Sequence, residues 1–306
     1  MTAQQLFNAI FDASIAVMIL ALVTGLGLSL TLQQILAPLR RVWVLVATVV
    51  ANSLLAPLIG IGVCHALPLS TEARVGVELA VMAAAGPVGM KAAELSKRAD
   101  MAMALSFTIA LQVVNIVAAP LWAKRIVTGA TVDPWTIVKD LLLLVLLPLV
   151  VGQVLRARHG EHAESWQSGL EKVSNIALLI AIVVGLAVNW KLFTSAIGSW
   201  VIVASALIVI VCMVVGWLAG RVGDPRSAIT ISMVAGMRFT PVGLIVIATV
   251  LHNDGAYLIP ALIFSLVCTV IPIVAGLEIG RAAAGTVAKK QTADATPAAA
   301  PAGVAG

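Results

Sequence analysis

The sequence predicts an all-α membrane protein of about nine transmembrane helices, and three observations carry that prediction. Apolar residues make up 61% of the 306 and charged residues only 11%, with a mean hydropathy of +1.08; a soluble domain of this length does not have that composition. The apolar runs are long, unalternated and rich in Ala, Val, Leu and Ile, which excludes an outer-membrane barrel with strands alternating over ~10 residues. Two runs are interrupted, at Pro87-Val88-Gly89-Met90-Lys91 and at Gly236-Met237-Arg238-Phe239-Thr240-Pro241-Val242-Gly243. Each interruption holds a Gly-Met-cation triplet beside a Pro-Val-Gly triplet. Gly and Pro free backbone groups, and in hydrocarbon these survive only where protein or a wet cavity satisfies them. A cation at that depth costs ~2.5–3.5 kcal/mol on insertion scales.

The spans are expected at roughly 10–31, 42–64, 73–96, 101–123, 136–156, 170–190, 194–220, 226–251 and 256–280. The first follows a polar, uncharged stretch, Met1 to Ala9, with no basic region or cleavage site, so it reads as a retained span and not a signal peptide. The third and eighth carry the interruptions. The others read as continuous helices with kinks expected at Pro57, Pro120, Pro148, Pro260 and Pro272. Trp43, Trp122, Trp135, Trp190 and Trp200 fall near span ends, the usual interfacial belt. Residues 1–280 therefore read as a single polytopic transporter domain. Residues 281–306, rich in Ala, Pro, Thr and Gly, read as a disordered cytoplasmic tail.

Nine spans put the termini on opposite sides. Of the nineteen Lys and Arg, twelve fall in one set of loops plus the C-terminal stretch, five in the opposite set, and two, Lys91 and Arg238, inside interrupted spans. The bias places the N-terminus outside and the C-terminus in the cytoplasm, as for a multi-pass plasma (bacterial inner) membrane protein. Spans 1–4 and 6–9 then form inverted repeats about span 5. The interrupted helix is the third element of each, and the pair crosses near the midplane, as expected for a carrier with a site between its repeats. The net charge of +5 comes without a basic tract and reads as loop charge, not as a nucleic-acid surface. Cys64, Cys212 and Cys268 are expected to be free thiols packed as small hydrophobes, and the four histidines to be solvated. No metal-ligand spacing occurs, nor a Walker-type segment, a Ser-His arrangement within spans, HExxH, or paired intramembrane aspartates. An enzyme and a channel are thus the weaker alternatives to a carrier.

The order of motifs resembles the bile acid:sodium symporter family. Gly25-Leu26-Gly27-Leu28-Ser29-Leu30-Thr31-Leu32 is similar to its glycine-rich "GxGLxL" stretch. Ala51-Asn52 followed by Pro57 resembles its polar-then-proline helix. Ala85-Gly86-Pro87-Val88-Gly89 sits where the family has "CPGG", Lys97-Arg98-Ala99-Asp100 with Leu105-Ser106 resembles "KGD…LS", and Ala235-Gly236-Met237-Arg238 sits where it has "ExGMQN". The resemblance covers roughly 10–280 and implies a nine-span member and a sodium-coupled carrier of organic anions. The departures lie at the expected sodium ligands. The "SN" pair should fall near Met90 to Ala93, where this chain has Lys91. The Glu, Gln and Asn of "ExGMQN" fall on Val234, Arg238 and Phe239.

The resulting expectation is that Lys91 and Arg238, fixed cations, stand where mobile sodium ions would sit. They would serve a small organic anion without sodium, the half-helix N-termini adding their own preference for anions. Substrate contacts are expected from Lys91, Arg238, Gly89, Met90, Met237, Thr240, Asn52, Gln112 and Asn115. Arg238 lies about twelve residues, ~18 Å, from either end of its span, too deep to snorkel easily; a structural pair is its alternative. Lys91 has an (i, i+3) pair with Glu94 as its alternative. Glu78 is a candidate partner of Arg238 or a proton carrier, or else a solvated charge. Gln112 and Asn115, three apart on one face, could instead bond between helices. Thr240 could cap the second half-helix. Asn52, Ser106 and Thr108 are the oxygen donors left for a conventional sodium site. No cofactor, nucleic-acid partner or obligate protein partner is expected; the partners are the lipid bilayer and the solute.

Overall fold

The computed structural model describes residues 3–29, 31, 33, 40–86, 88–127, 135, 138–139, 142–188, 194, 200–252 and 254–294. The described chain is helical and holds no strand. Its elements are α1 (Ala3–Ser29), α2 (Val42–Ala66), α3 (Thr71–Val81), α4 (Val88–Leu95) and α5 (Met101–Ile126). Then come α6 (Leu147–Arg158, entered through a π-turn over Leu142–Leu146), α7 (Ala163–Val188) and α8 (Val201–Gly220). The last three are α9 (Pro225–Gly236), α10 (Thr240–Val250) and α11 (Gly255–Asp294). Among the described residues, five segments are long and apolar enough to cross a bilayer: α2, α5, α8, α9 with α10 taken together, and α11 up to Ala283. Leu30, Leu32, Pro87 and Trp190, named above, lie outside the described residues.

Local chemistry sets the helix starts. Ser70 caps α3 by accepting from the Ala73 N–H, Asp100 caps α5 through Met103, and Asp224 caps α9 through Ser227, each satisfying an amide of the first turn. The Ser227 N–H holds the Asp224 carboxyl below the usual carboxylate range, with Arg41, 3.3 Å away, contributing less. Pro120, Pro260 and Pro272 lie within helices, whereas Pro57 and Pro148 each follow a π-turn at the start of regular α-helix. The last helix runs to Asp294, past Arg281, where the sequence places the start of the tail. Its Ala-rich continuation favours helix, and Arg281 pairs with Glu278 one turn back.

The helices pack as two bodies. In one, α1 lies along α7 and α6. A Cβ on Gly27 would strike the Leu149 carbonyl and one on Gly152 the Thr24 carbonyl, so glycine alone permits this α1–α6 approach. Gln153 and Arg156 of α6 donate to the Gly27 and Leu28 carbonyls at 2.7 Å each, covering the last turn of α1. In the other body, α11 packs on α3, α4 and α8, while α8 lies on α9 and α2 and α10 on α3. The buried core lies mostly in this second body and extends into α1, α6 and α7, and α9 with α10 is almost wholly enclosed. Cys64, Cys212 and Cys268 are free and buried.

Candidate functional site

The two interruptions meet. The Gly86 N–H donates to the Met237 carbonyl at 3.1 Å and the Phe239 N–H to the Ala83 carbonyl at 3.2 Å, a short antiparallel pairing of two unwound segments. A Cβ on Gly86 would lie 2.8 Å from the Arg238 carbonyl, and one on Gly89 would lie 3.1 Å from the Met237 Cβ, so the glycines allow the backbones to close in. Met237 and Phe239 are buried here.

Three further backbone groups of the first interruption bond α5. Asn115 accepts from the Ala84 N–H at 2.8 Å and donates to the Ala84 carbonyl at 2.9 Å. Gln112 donates to the Ala85 carbonyl at 2.9 Å and accepts from the Asn115 amide at 3.1 Å. Both side chains are buried. Ala85 takes φ of 47°, the left-handed region, at a cost of roughly 1–2 kcal/mol for an L-residue. Gln112 and Asn115 are thus spent on the backbone of the interruption, which an intramembrane polar pair must do when no water is at hand.

Arg238 is 2% exposed and reaches across to α2 and α3. Its Nε donates to the Val81 carbonyl at 2.9 Å, Nη2 to the Asn52 carbonyl at 2.8 Å, and Nη1 to the Asn52 Oδ1 at 3.3 Å. Among the described residues no carboxylate lies within ion-pair distance of it. The charge is held instead by three neutral oxygens and by the C-terminal ends of α3 and α9, whose partial negative charge suits a cation. The sequence supplies these oxygens locally. Residues Val50–Leu55 form a π-turn in which the Ala56 N–H bonds back to the Ala51 carbonyl. In that register the Asn52 carbonyl would look to residue 57, which is proline and has no N–H. Asn52 is left to Arg238, and the Ser53 carbonyl, which an α-register would also leave facing Pro57, accepts from the Trp122 indole at 2.8 Å. Trp122 is therefore part of this polar arrangement as well as near a span end.

Other expected site residues have other partners. Thr240 does not cap α10; its hydroxyl bonds Ser265 of α11 at 2.8 Å, and Phe239 occupies the N-cap without a side-chain bond. Ser106 and Thr108 donate to the Ala102 and Ala104 carbonyls of their own helix. Glu78 is buried and does not pair with Arg238; it lies 3.3 Å from His65, a half-exposed residue on α2 that the sequence reads as solvated. Composition shows His65 only as a polar residue at a span end; the contact needs the α2–α3 packing.

Lys91 stands apart from Arg238. It lies on α4, its side chain 62% exposed, and its Nζ is 2.8 Å from Glu94 Oε2. Beside it opens a cavity of about 430 Å³ at the seam between the two bodies. The α4–α5 wall includes Met90, Lys91, Glu94 and Leu105, and the opposite wall includes Leu26, Gln167, Glu171 and Asn175 from α1 and α7. Of the expected residues, Met90 and Lys91 line it. The sequence reading missed the α7 residues. Their signal was available, since Gln167, Glu171 and Asn175 recur every four residues and so share one face of α7.

A sequence model of the SBF-like CPA transporter family matches residues 2–274. A curated relative, the probable sodium/metabolite cotransporter BASS3, chloroplastic, of Arabidopsis thaliana, is 25% identical over 219 residues, 70% of this chain. The aligned part covers 51% of the relative, so the chain spans about half the length of the curated protein it matches.

Proposed function

The chain belongs to the SBF-like CPA transporter family, and on that premise we propose that it is a secondary carrier of a small organic anion that works by alternating access with Arg238 in place of a coupling cation. The observation that carries this reading is the Arg238 guanidinium held by the Asn52 carbonyl, the Asn52 Oδ1 and the Val81 carbonyl at the meeting of the two interruptions. Unwound carbonyls and half-helix C-termini are what a carrier offers a monovalent metal ion. Here a tethered cation uses them. The N-termini of α4 and α10 lie at the other side of the same interruptions and favour an anion.

The proposed membrane arrangement counts α3 with α4 and α9 with α10 as one crossing each, which with the other seven helices makes nine. The segments on either side of α6 are then inverted repeats, with the N-terminus outside and the C-terminus in the cytoplasm of a bacterial inner membrane. The solute sits in the seam cavity, and the α1–α6–α7 body rocks against the other. Family membership points to transport and not to catalysis.

The likeness to a probable sodium/metabolite cotransporter favours a second reading in which sodium drives uptake. The two separate in proteoliposomes loaded with a panel of small carboxylates and sulfonates. Counterflow that is equal in sodium and potassium salts supports Arg238 as the fixed cation. Uptake that requires a sodium gradient overturns that part and leaves the carrier. Arg238→Gln, which empties the oxygen cage while keeping an amide, is expected to make thermal stability rise in sodium over potassium chloride.

A further inference from the structure

We propose that the seam cavity takes a zwitterion, a small solute bearing both a carboxylate and an amine, with Glu171 and Lys91 as its two charged contacts. This rests on the carrier reading above and narrows its solute, for the same cavity, from organic anions at large to those whose carboxylate is accompanied by an amine. Among the described residues the charged lining is one cation, Lys91, and two carboxylates, Glu94 and Glu171. Lys91 is already engaged by Glu94 at 2.8 Å. A plain anion arriving at Lys91 would displace Glu94 and leave two carboxylates facing it without a counter-charge. A solute with its own amine avoids that. Its carboxylate takes Lys91 and its ammonium takes Glu171, so the internal pair is exchanged for two pairs with the solute and one carboxylate, Glu94, is left without a counter-charge instead of two.

The geometry distributes these contacts across the seam. Lys91 and Glu94 lie on α4, in one body, and Glu171 lies on α7, in the other. Gln167 donates to Glu171 Oε1 at 3.0 Å and orients it, and Asn175 extends the same polar face by one turn. Leu22, Leu26 and Leu105 supply the apolar part of the wall for the solute's side chain. The volume of about 430 Å³ lies within the range of small-molecule sites. A zwitterion bound this way bridges the two bodies, so occupancy and their relative position become linked.

The test uses matched pairs of probes with the purified full chain: leucine against 4-methylpentanoate, and phenylalanine against 3-phenylpropanoate. Thermal stabilisation in detergent and counterflow in proteoliposomes are read for wild type, Glu171→Gln and Lys91→Gln. The expected result is that the amino acid of a pair binds about tenfold or more tightly than its deaminated partner, that Glu171→Gln abolishes this preference, and that Lys91→Gln weakens both members. Both positions are solvent-exposed, and unchanged unfolding temperatures without ligand establish that the variants fold. Equal or tighter binding of the deaminated acid overturns the zwitterion assignment and leaves the anion carrier standing. A preference for the amino acid that survives Glu171→Gln overturns the assigned contact. Absence of binding and of counterflow for every probe overturns this inference, while the wider carboxylate and sulfonate panel decides the carrier reading independently.

Discussion

The two Gly-Met-cation triplets have opposite fates, and the comparison explains why. Arg238 is enclosed at the crossing, held by backbone and amide oxygens. Lys91 faces an open cavity, paired with a neighbour on its own helix. The difference lies in the order of the triplets. In the first interruption Pro-Val-Gly precedes the cation; in the second it follows. In both, Pro-Val-Gly coincides with the start of the second half-helix, at Val88 in one case and at Thr240 in the other. Aligned on Pro87 and Pro241, Arg238 corresponds to Ala84 and Lys91 to Ile245. A cation three residues before the proline falls in the unwound segment, whereas one four residues after it falls on a formed helix turn.

The sharpest way to break this contrast is to remove each cation in turn. Arg238→Ala leaves the Val81 and Asn52 carbonyls buried and unpaired, at about 1–3 kcal/mol each. A large fall in unfolding temperature, or loss of folded protein, is expected in detergent. Arg238→Lys restores charge but not the fork, so partial recovery is expected. An unchanged unfolding temperature for Arg238→Ala would show that the three hydrogen bonds do not hold the crossing.

The next effect is at α5. Asn115→Leu strips both an acceptor and a donor from Ala84, and a loss of about 2–5 kcal/mol is expected. Gln112→Leu frees the Ala85 carbonyl and one Asn115 amide hydrogen but leaves both Asn115–Ala84 bonds, and should cost less, about 1–3 kcal/mol. If the two variants unfolded alike, the double contact of Asn115 would carry no extra weight.

Smaller effects test the local strain and the exposed pair. Ala85→Gly removes the penalty of a left-handed residue but adds freedom to the unfolded chain, so a net stabilisation of up to about 1 kcal/mol is expected; destabilisation would mean the Ala85 methyl packs to greater effect than the strain opposes. Lys91→Gln removes an exposed (i, i+3) pair and should shift stability by no more than about 0.5 kcal/mol while lowering transport. A fall comparable to that of Arg238→Ala would erase the distinction between the two regions.

Much of this was readable beforehand, and the physical reasons for the rest are specific. Helix class and the two interruptions follow from composition and from Gly and Pro, because those residues act through backbone geometry that does not depend on neighbours. That Gln112 and Asn115 share a face is also plain from their spacing. What they bond is not, because Ala84 and Ala85 have no polar side chain to announce that their backbone groups need partners. The near-repeat of the cations suggested equivalent roles for Lys91 and Arg238, since residue type is visible while register to the helix start is not. Thr240 looked like a cap because it opens a helix, and Ser265 on α11 outcompeted that use.

Pro57 has a consequence beyond its own helix. Replacing it with alanine would return an amide to the turn at Asn52 and Ser53. That amide would compete with the guanidinium and the indole for the same oxygens, so the variant should loosen two tertiary anchors without touching either donor. One imino ring therefore governs whether this stretch closes upon itself or stays adhesive toward its neighbours, and Pro57→Ala should release the Arg238 and Trp122 side chains together.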